Sequence, residues 1–228
     1  NGCQHRTKLI ALFRLTYESP HGLSWLVFYL VTLLLNHATN LVQSRWHTLK
    51  TNCIENMDKR EIANLIHEKL QHKNEFLSNI GKNNYKEFTN QLKIIIGDLG
   101  EELGYEIATN CKKEYNEKEW LFDLVWYKMA ENENENIVSS VDLVLESEIS
   151  YKNFGHFKVD FDKLLVATKS TKIMIFTKVN DELILKIKNY IQCSLDSSND
   201  YEIGNQIHLI LWDENITGNF YLTSHSKK

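Results

Sequence analysis

The sequence has little of what would mark a secreted, zinc-binding or membrane-spanning protein. Its 228 residues contain a single proline and four cysteines, and no two cysteines stand in a CxxC pair. Widely spaced cysteines argue against a structural zinc site and are typical of a reduced, cytoplasmic setting. The apolar stretch over residues 23–35 spans 13 positions, whereas a membrane-spanning helix needs about 20. We therefore expect a cytoplasmic protein with no membrane partner.

Residues 1–56 differ from the rest of the chain. They contain both the proline and the apolar stretch, and the first methionine is Met57. The segment that begins there, MDKREIANLIHEKL, has the periodicity of an amphipathic helix. We expect a leader over residues 1–56 and a folded domain over residues 57–228.

The folded domain is acidic. From Met57 onward it has 21 basic and 28 acidic side chains, which gives a net charge of −7. This net charge does not indicate nucleic-acid binding, although a local basic surface can coexist with an acidic metal site. No nucleotide-binding motif or recognition helix is evident.

The order of predicted elements indicates an α/β fold. A helix, three strands, a helix and a strand follow one another, and the helix before the three strands ends at Gly104. Short connections predict a meander of the first three strands, and a crossover helix predicts that the fourth strand runs parallel to the third. The predicted helices cover 58–80, 85–103, 157–168 and 181–195, and the predicted strands cover 105–110, 120–127, 141–148, 172–177, 206–212 and 219–222.

Three carboxylates stand in or beside apolar strands. Asp123 interrupts WLFDLVWY, and a lone buried aspartate costs several kcal/mol unless it is paired or bound to a metal. Glu146 and Glu148 end the strand VDLVLESE, where alternate side chains share one face. Three converging carboxylates repel one another unless a cation lies between them. Oxygen ligands suit Mg²⁺, which proteins usually hold through one or two carboxylates and substrate phosphates.

In element order and in these acidic residues, the chain resembles the PD-(D/E)XK nuclease superfamily. The resemblance covers about residues 85–178, which it makes the core of the domain, and rests on Glu102 in GEELGY, Asp123 in WLFDLVWY, and Glu146 and Glu148 in LVLESEIS. It implies a restriction-endonuclease-like αβββαβ core with a mixed central sheet flanked by helices. Phe122 stands where the motif has its proline, and Glu148 stands where it has a lysine. The next helix offers Lys163 as a substitute cation, with Lys169 as a weaker candidate.

The resemblance also implies a role for each residue. Asp123 and Glu146 would bind Mg²⁺ (or Mn²⁺) together with the backbone carbonyl of Ser147. Glu102 would contribute through a bound water, and Glu148 or Lys163 would orient or deprotonate the attacking water.

These roles predict a Mg²⁺-dependent DNA endonuclease of restriction or defence type. Cutting both strands of a duplex needs two sites, which favours a homodimer. Two alternatives remain open. One is a catalytically degenerate member of the fold that binds nucleic acid or a protein partner. The other is a hydrolase, such as a glycosidase, that uses two carboxylates without a metal.

Overall fold

A computed structural model describes residues 58–111, 120–130, 137–150, 153–167, 169–178, 180–199, 201–202, 204–214 and 218–227. The predicted leader over residues 1–56 lies outside these ranges. Within them, no helix is both long and apolar enough to cross a membrane.

Two helices stand where the sequence predicts one over residues 58–80. α1 (Lys59–His72) begins at a capping box, in which the Asp58 carboxylate accepts from the backbone of Arg60 and Glu61 and the Glu61 carboxylate accepts from Asp58 N–H. α2 (Asn74–Gly81) follows a turn at Lys73. Buried Leu70 and Leu77 are seven residues apart, so the helical spacing of apolar residues continues across the turn. The sequence pattern therefore gives no sign of the turn. The prediction of one continuous helix is therefore wrong.

Three further helices match their predictions closely. The predicted stop at Gly104 is confirmed, because this glycine has a positive φ of 80° just beyond the third helix. The bounds of these helices are α3 (Tyr85–Glu102), α4 (Phe154–Val166) and α5 (Asp181–Ser197).

The six strands form one mixed open sheet, in which the spatial order follows the chain order. The first three strands are an antiparallel meander, β4 is parallel to β3, β5 is parallel to β4, and β6 is antiparallel to β5. The predicted α/β class, meander and parallel crossover are therefore confirmed. The strands are β1 (Glu106–Ala108), β2 (Leu124–Met129), β3 (Val138–Glu148), β4 (Thr171–Thr177), β5 (Gln206–Asp213) and β6 (Asn219–Ser226).

Helices cover both faces of the sheet. One face packs against α4 and α5 through a cluster that includes Val144, Met174, Phe157 and Ile187. The other face lies against the first three helices, where the Phe88 ring is 4.2 Å from the Trp212 ring. All seven residues of β4 are buried, as expected for a central strand that has helices on both faces.

Gly100 allows α3 to approach the sheet closely. A Cβ atom at this position would lie 2.6 Å from Ile107 Cδ1 and 2.6 Å from Trp126 Nε1. Because neither neighbour can retreat without disturbing the β1–β2 pair, the helix would have to shift.

We expect Gly100→Ala to lower the free energy of unfolding by about 1–3 kcal/mol, the usual cost of overpacking a core. Urea denaturation followed by tryptophan fluorescence measures this change. Gly155→Ala in α4 is the matched control, because its nearest neighbour would be Asn153 Oδ1 at 3.3 Å and alanine favours helix. If Gly100→Ala and Gly155→Ala were equally stable, α3 would not lie as close to the sheet at Gly100 as the structure shows.

Candidate active site

Antiparallel pairing places the start of β2 beside the end of β3. Leu124 pairs with Leu145, so Asp123, the residue just before β2, lies across from Glu146. The predicted strand over residues 120–127 is wrong at its beginning, because β2 starts at Leu124 and Asp123 lies in a bend. Asp123 is therefore at the edge of the sheet rather than in the middle of a strand.

The Asp123 carboxylate is held from two sides. Its Oδ2 accepts hydrogen bonds from the backbone N–H and the hydroxyl of Ser147, each at 2.8 Å. Its Oδ1 lies 3.7 Å from the ammonium of Lys93. The backbone carbonyl of Asp123 also accepts from Thr109 Oγ1 at 2.9 Å. These contacts explain why the bend forms here and hold the carboxylate in one orientation.

Glu146 is the most deeply buried of the three acids Asp123, Glu146 and Glu148, which are called the carboxylate group below. Its exposed fraction is 2%, and among the described residues Oε1 accepts no hydrogen bond. Burial, and then the charge of Asp123, raise the pKa of Glu146 to about 8. A buried carboxylate with an oxygen that no hydrogen bond satisfies is costly, so the arrangement favours a bound cation or a proton.

Lys163 reaches Glu146 from α4. Its Nζ lies 3.3 Å from each oxygen of Glu146, although it donates a hydrogen bond only to Oε2. The same Nζ lies 2.8 Å from Asp160, one helical turn away. Partial burial would lower the pKa of Lys163, but the hydrogen bond to Asp160 and the charge of Glu146 raise it above its usual value. The lysine that the sequence offered as a substitute cation does reach a predicted carboxylate.

Glu148 lies on the same face of β3 as Glu146. The two glutamates pair with Met174 and Phe176 of β4, which both face α4 and α5. Glu148 is 8% exposed, and its Oε2 lies 4.0 Å from Nδ1 of His156 near the start of α4. The two carboxylates therefore share a face, as strand geometry requires, and α4 brings a basic residue toward each of them.

Two predicted residues differ from their expected placement. Glu102 does not join the group, because its carboxylate lies 3.0 Å from Lys69 on α1. It ends α3 just before β1, whereas the register puts Asp123 beyond the other end of β1. Ser147 does touch Asp123, but the contact runs through its N–H and hydroxyl. The role of its carbonyl stays a prediction.

Sequence reasoning missed Lys93. This lysine is 5% exposed and donates to Asn110 Oδ1 at 2.9 Å while facing Asp123. A signal was present, because Gly97 and Gly100 lie one and two turns further along the same side of α3. Small residues mark the side of a helix that approaches its neighbour closely, so a lysine on that side is buried rather than solvated.

Two carboxylates of this group could contribute oxygens to a magnesium site. Asp123 and Glu146 supply oxygen donors from adjacent strands, and Glu146 has one oxygen without a hydrogen bond. Across the described ranges, no three His, Cys, Asp or Glu side chains converge in an arrangement that could hold a metal. Mg²⁺ needs only one or two carboxylates when water and phosphate complete its shell, so two acids remain compatible with it.

Comparisons with known proteins add no further assignment. The sequence matches no protein-family model, no curated protein and no solved structure.

The raised pKa of Glu146 predicts how stability depends on pH without metal. The folded protein keeps a proton on Glu146 between about pH 4.5 and 8, whereas the unfolded chain loses it. The stabilisation from this proton is therefore present at low pH and lost as pH rises through that window. Urea denaturation in chelator should show wild type and Glu146→Gln similarly stable at low pH, with wild type less stable at the upper end.

Glu102→Gln is the control for this experiment, because its carboxylate is exposed and lies outside the group. Its stability should follow wild type across the whole window. If the free energy of unfolding changed with pH in the same way for wild type and for Glu146→Gln, the pKa of Glu146 would not be raised in the folded protein.

Proposed function

We propose that this chain is a Mg²⁺-dependent endonuclease that hydrolyses phosphodiester bonds in DNA, with a restriction-endonuclease-like core of the PD-(D/E)XK type. The observation that carries the proposal is the buried Glu146 carboxylate, which has one oxygen without a hydrogen bond, lies across from Asp123 and is approached by Lys163. The element order from α3 to β4 supports it, because a helix, an antiparallel meander, a helix and a parallel strand follow one another. The choice of DNA comes from the resemblance.

Each side chain has a role in this proposal. Asp123, oriented by Ser147 and Lys93, and Glu146 would hold the cation. Bound Mg²⁺ supplies charge stabilisation at the phosphate and lowers the pKa of a bound water. Glu148, beside His156, would accept a proton from the attacking water.

Lys163 would take the place of the lysine that the family motif carries on β3. Position 148 holds a glutamate, but the α4 ammonium reaches the same strand from the neighbouring helix. A lysine there keeps positive charge beside the acids after a phosphate enters, and so favours the charge that develops on the phosphoryl oxygens. Glu102 has no part in this proposal because it pairs with Lys69.

A second candidate is a nuclease-like protein that binds nucleic acid or a protein partner without cutting. The specific observation in its favour is that both acids already face a lysine, Asp123 at 3.7 Å from Lys93 and Glu146 at 3.3 Å from Lys163. Such pairing can stabilise the acids without a metal. The two candidates differ in whether a divalent cation binds.

Calorimetric titration of Mg²⁺ and Mn²⁺ into the full chain, with plasmid cleavage assayed in parallel, tests the proposal. We expect Asp123→Asn and Glu146→Gln each to lose cation binding and to reduce cleavage by about 100-fold or more, since loss of several kcal/mol of metal stabilisation lowers the rate on that scale. Glu102→Gln is the matched control and should bind and cut as wild type does.

Two outcomes would overturn the endonuclease proposal. Undiminished cleavage by Glu146→Gln would remove the proposed site. Absence of cation binding in wild type, with or without DNA, would favour the non-cutting candidate instead.

A further inference from the structure

A second polar region lies where β4 and β5 begin, at the edge of the sheet opposite Asp123 and Glu146. A cavity of about 300 Å³ opens there, lined by Asp58, Lys59, Arg60, Gly204 and Gln206. Two of these five residues, Lys59 and Arg60, are cationic. The Asp58 carboxylate accepts from the backbone N–H groups of α1, so it is engaged in the helix cap.

Lys172 is near this cavity but is not one of the residues that line it. It is the second residue of β4 and pairs with Ile207, the residue that follows Gln206 on β5. Its side chain is fully buried, yet Nζ makes no hydrogen bond to any described residue. Nζ lies 4.5 Å from the ring centroid of Tyr201, and a cation–π contact offsets only part of the cost of burying an ammonium.

The electrostatic environment of Lys172 is positive. Burial, and then the charge of Lys59, lower the pKa of Lys172 to about 8. Lys59 therefore lies close enough to act on Lys172, and it also lines the cavity. Within the described ranges, no carboxylate is among the charges that act on Lys172. An anion in the cavity would relieve this repulsion.

Other polar atoms at the same edge also lack hydrogen bonds. Tyr201 Oη, Thr171 Oγ1 and His208 Nε2 are buried and have no partner among the described residues. Hydroxyl groups can donate, and buried polar atoms are normally satisfied by protein, water or ligand. Four such atoms, counting Lys172 Nζ, therefore lie near the starts of β4 and β5, on both faces of the sheet.

We propose that the cavity between the start of α1 and the start of β5 binds a phosphate-class oxyanion, with Lys59 and Arg60 as its cationic lining residues and the buried Lys172 as a further positive charge beside it. A phosphate group has several acceptor oxygens and a charge that suits a donor-rich site. The ligand is either a free phosphate or the phosphate of a nucleotide. Because the site shares no residue with the carboxylate group, it stands independently of the proposed nuclease activity.

Calorimetry and thermal denaturation of the full chain in metal-free buffer test this site with inorganic phosphate, a nucleoside 5′-monophosphate and the unphosphorylated nucleoside. Phosphate should bind and raise the melting temperature of wild type. Lys172→Met preserves much of the side-chain volume without the charge, and should lower phosphate affinity about tenfold or more, as expected for loss of a strong charged interaction. It should also be more stable than wild type when no anion is present.

Lys158→Met is the matched control, because this lysine lies on the outer side of α4 and pairs with Asp162. It should bind phosphate as wild type does, and so should Glu146→Gln, which separates this test from that of the metal site. Lys59→Gln is a second variant whose affinity should also fall. Tighter binding of the monophosphate than of inorganic phosphate identifies a nucleotide ligand, and equal binding identifies a free anion. Failure of wild type to bind either one, or unchanged affinity in both lysine variants, would overturn the proposal.

Discussion

The contact between Asp123 and Ser147 organises the acidic edge of the sheet. One carboxylate oxygen accepts two hydrogen bonds from one residue of the neighbouring strand, which ties the bend before β2 to the end of β3. Hydrogen bonds to an ionised group are roughly twice as strong as neutral ones. Because alternate residues of a strand share a face, Glu146 and Glu148 on either side of Ser147 both face α4.

The charges around these acids come from different parts of the chain. Lys93 approaches Asp123 from α3, and Lys163 approaches Glu146 from α4, so a helix from each side of the sheet contributes one ammonium. Buried charges of one sign are tolerated only with compensation, and a partner removed from such a pair leaves an uncompensated charge. The carboxylates and the two lysines are therefore one electrostatic unit, and packing of both helices maintains it.

Local pattern predicted those parts of this unit that depend on periodicity. Alternation along β3 places Glu146 and Glu148 together, and the helical repeat places Lys163 beside Asp160, as observed. The position of Asp123 was missed because its contact with Ser147 joins residues that are 24 positions apart. The apolar sequence around Asp123 predicts a strand that continues through it, whereas β2 begins only at the next residue.

Lys93 and Glu102 illustrate a related difficulty. Both stand on α3, and helical periodicity alone cannot tell which of them faces the start of β2. That depends on how β1 returns after α3 and pairs with β2, which is a property of the tertiary arrangement. The glycines beside Lys93 were the local sign of close packing, whereas nothing near Glu102 indicated its contact with Lys69.

The parallel strands place the carboxylate group and the two lysines Lys59 and Lys172 at opposite ends of the sheet. Because β3, β4 and β5 run in one direction, the ends of the strands and the loops that follow them gather at one edge, and their beginnings gather at the other. Glu146, Glu148 and the buried Asp213, which pairs with Lys178, lie near the first edge, and Lys172 and Lys59 lie near the second. A strand of seven residues is about 23 Å long. A cation and an oxyanion that bind at these two edges would therefore have separate ligands, and each site could be filled while the other is empty.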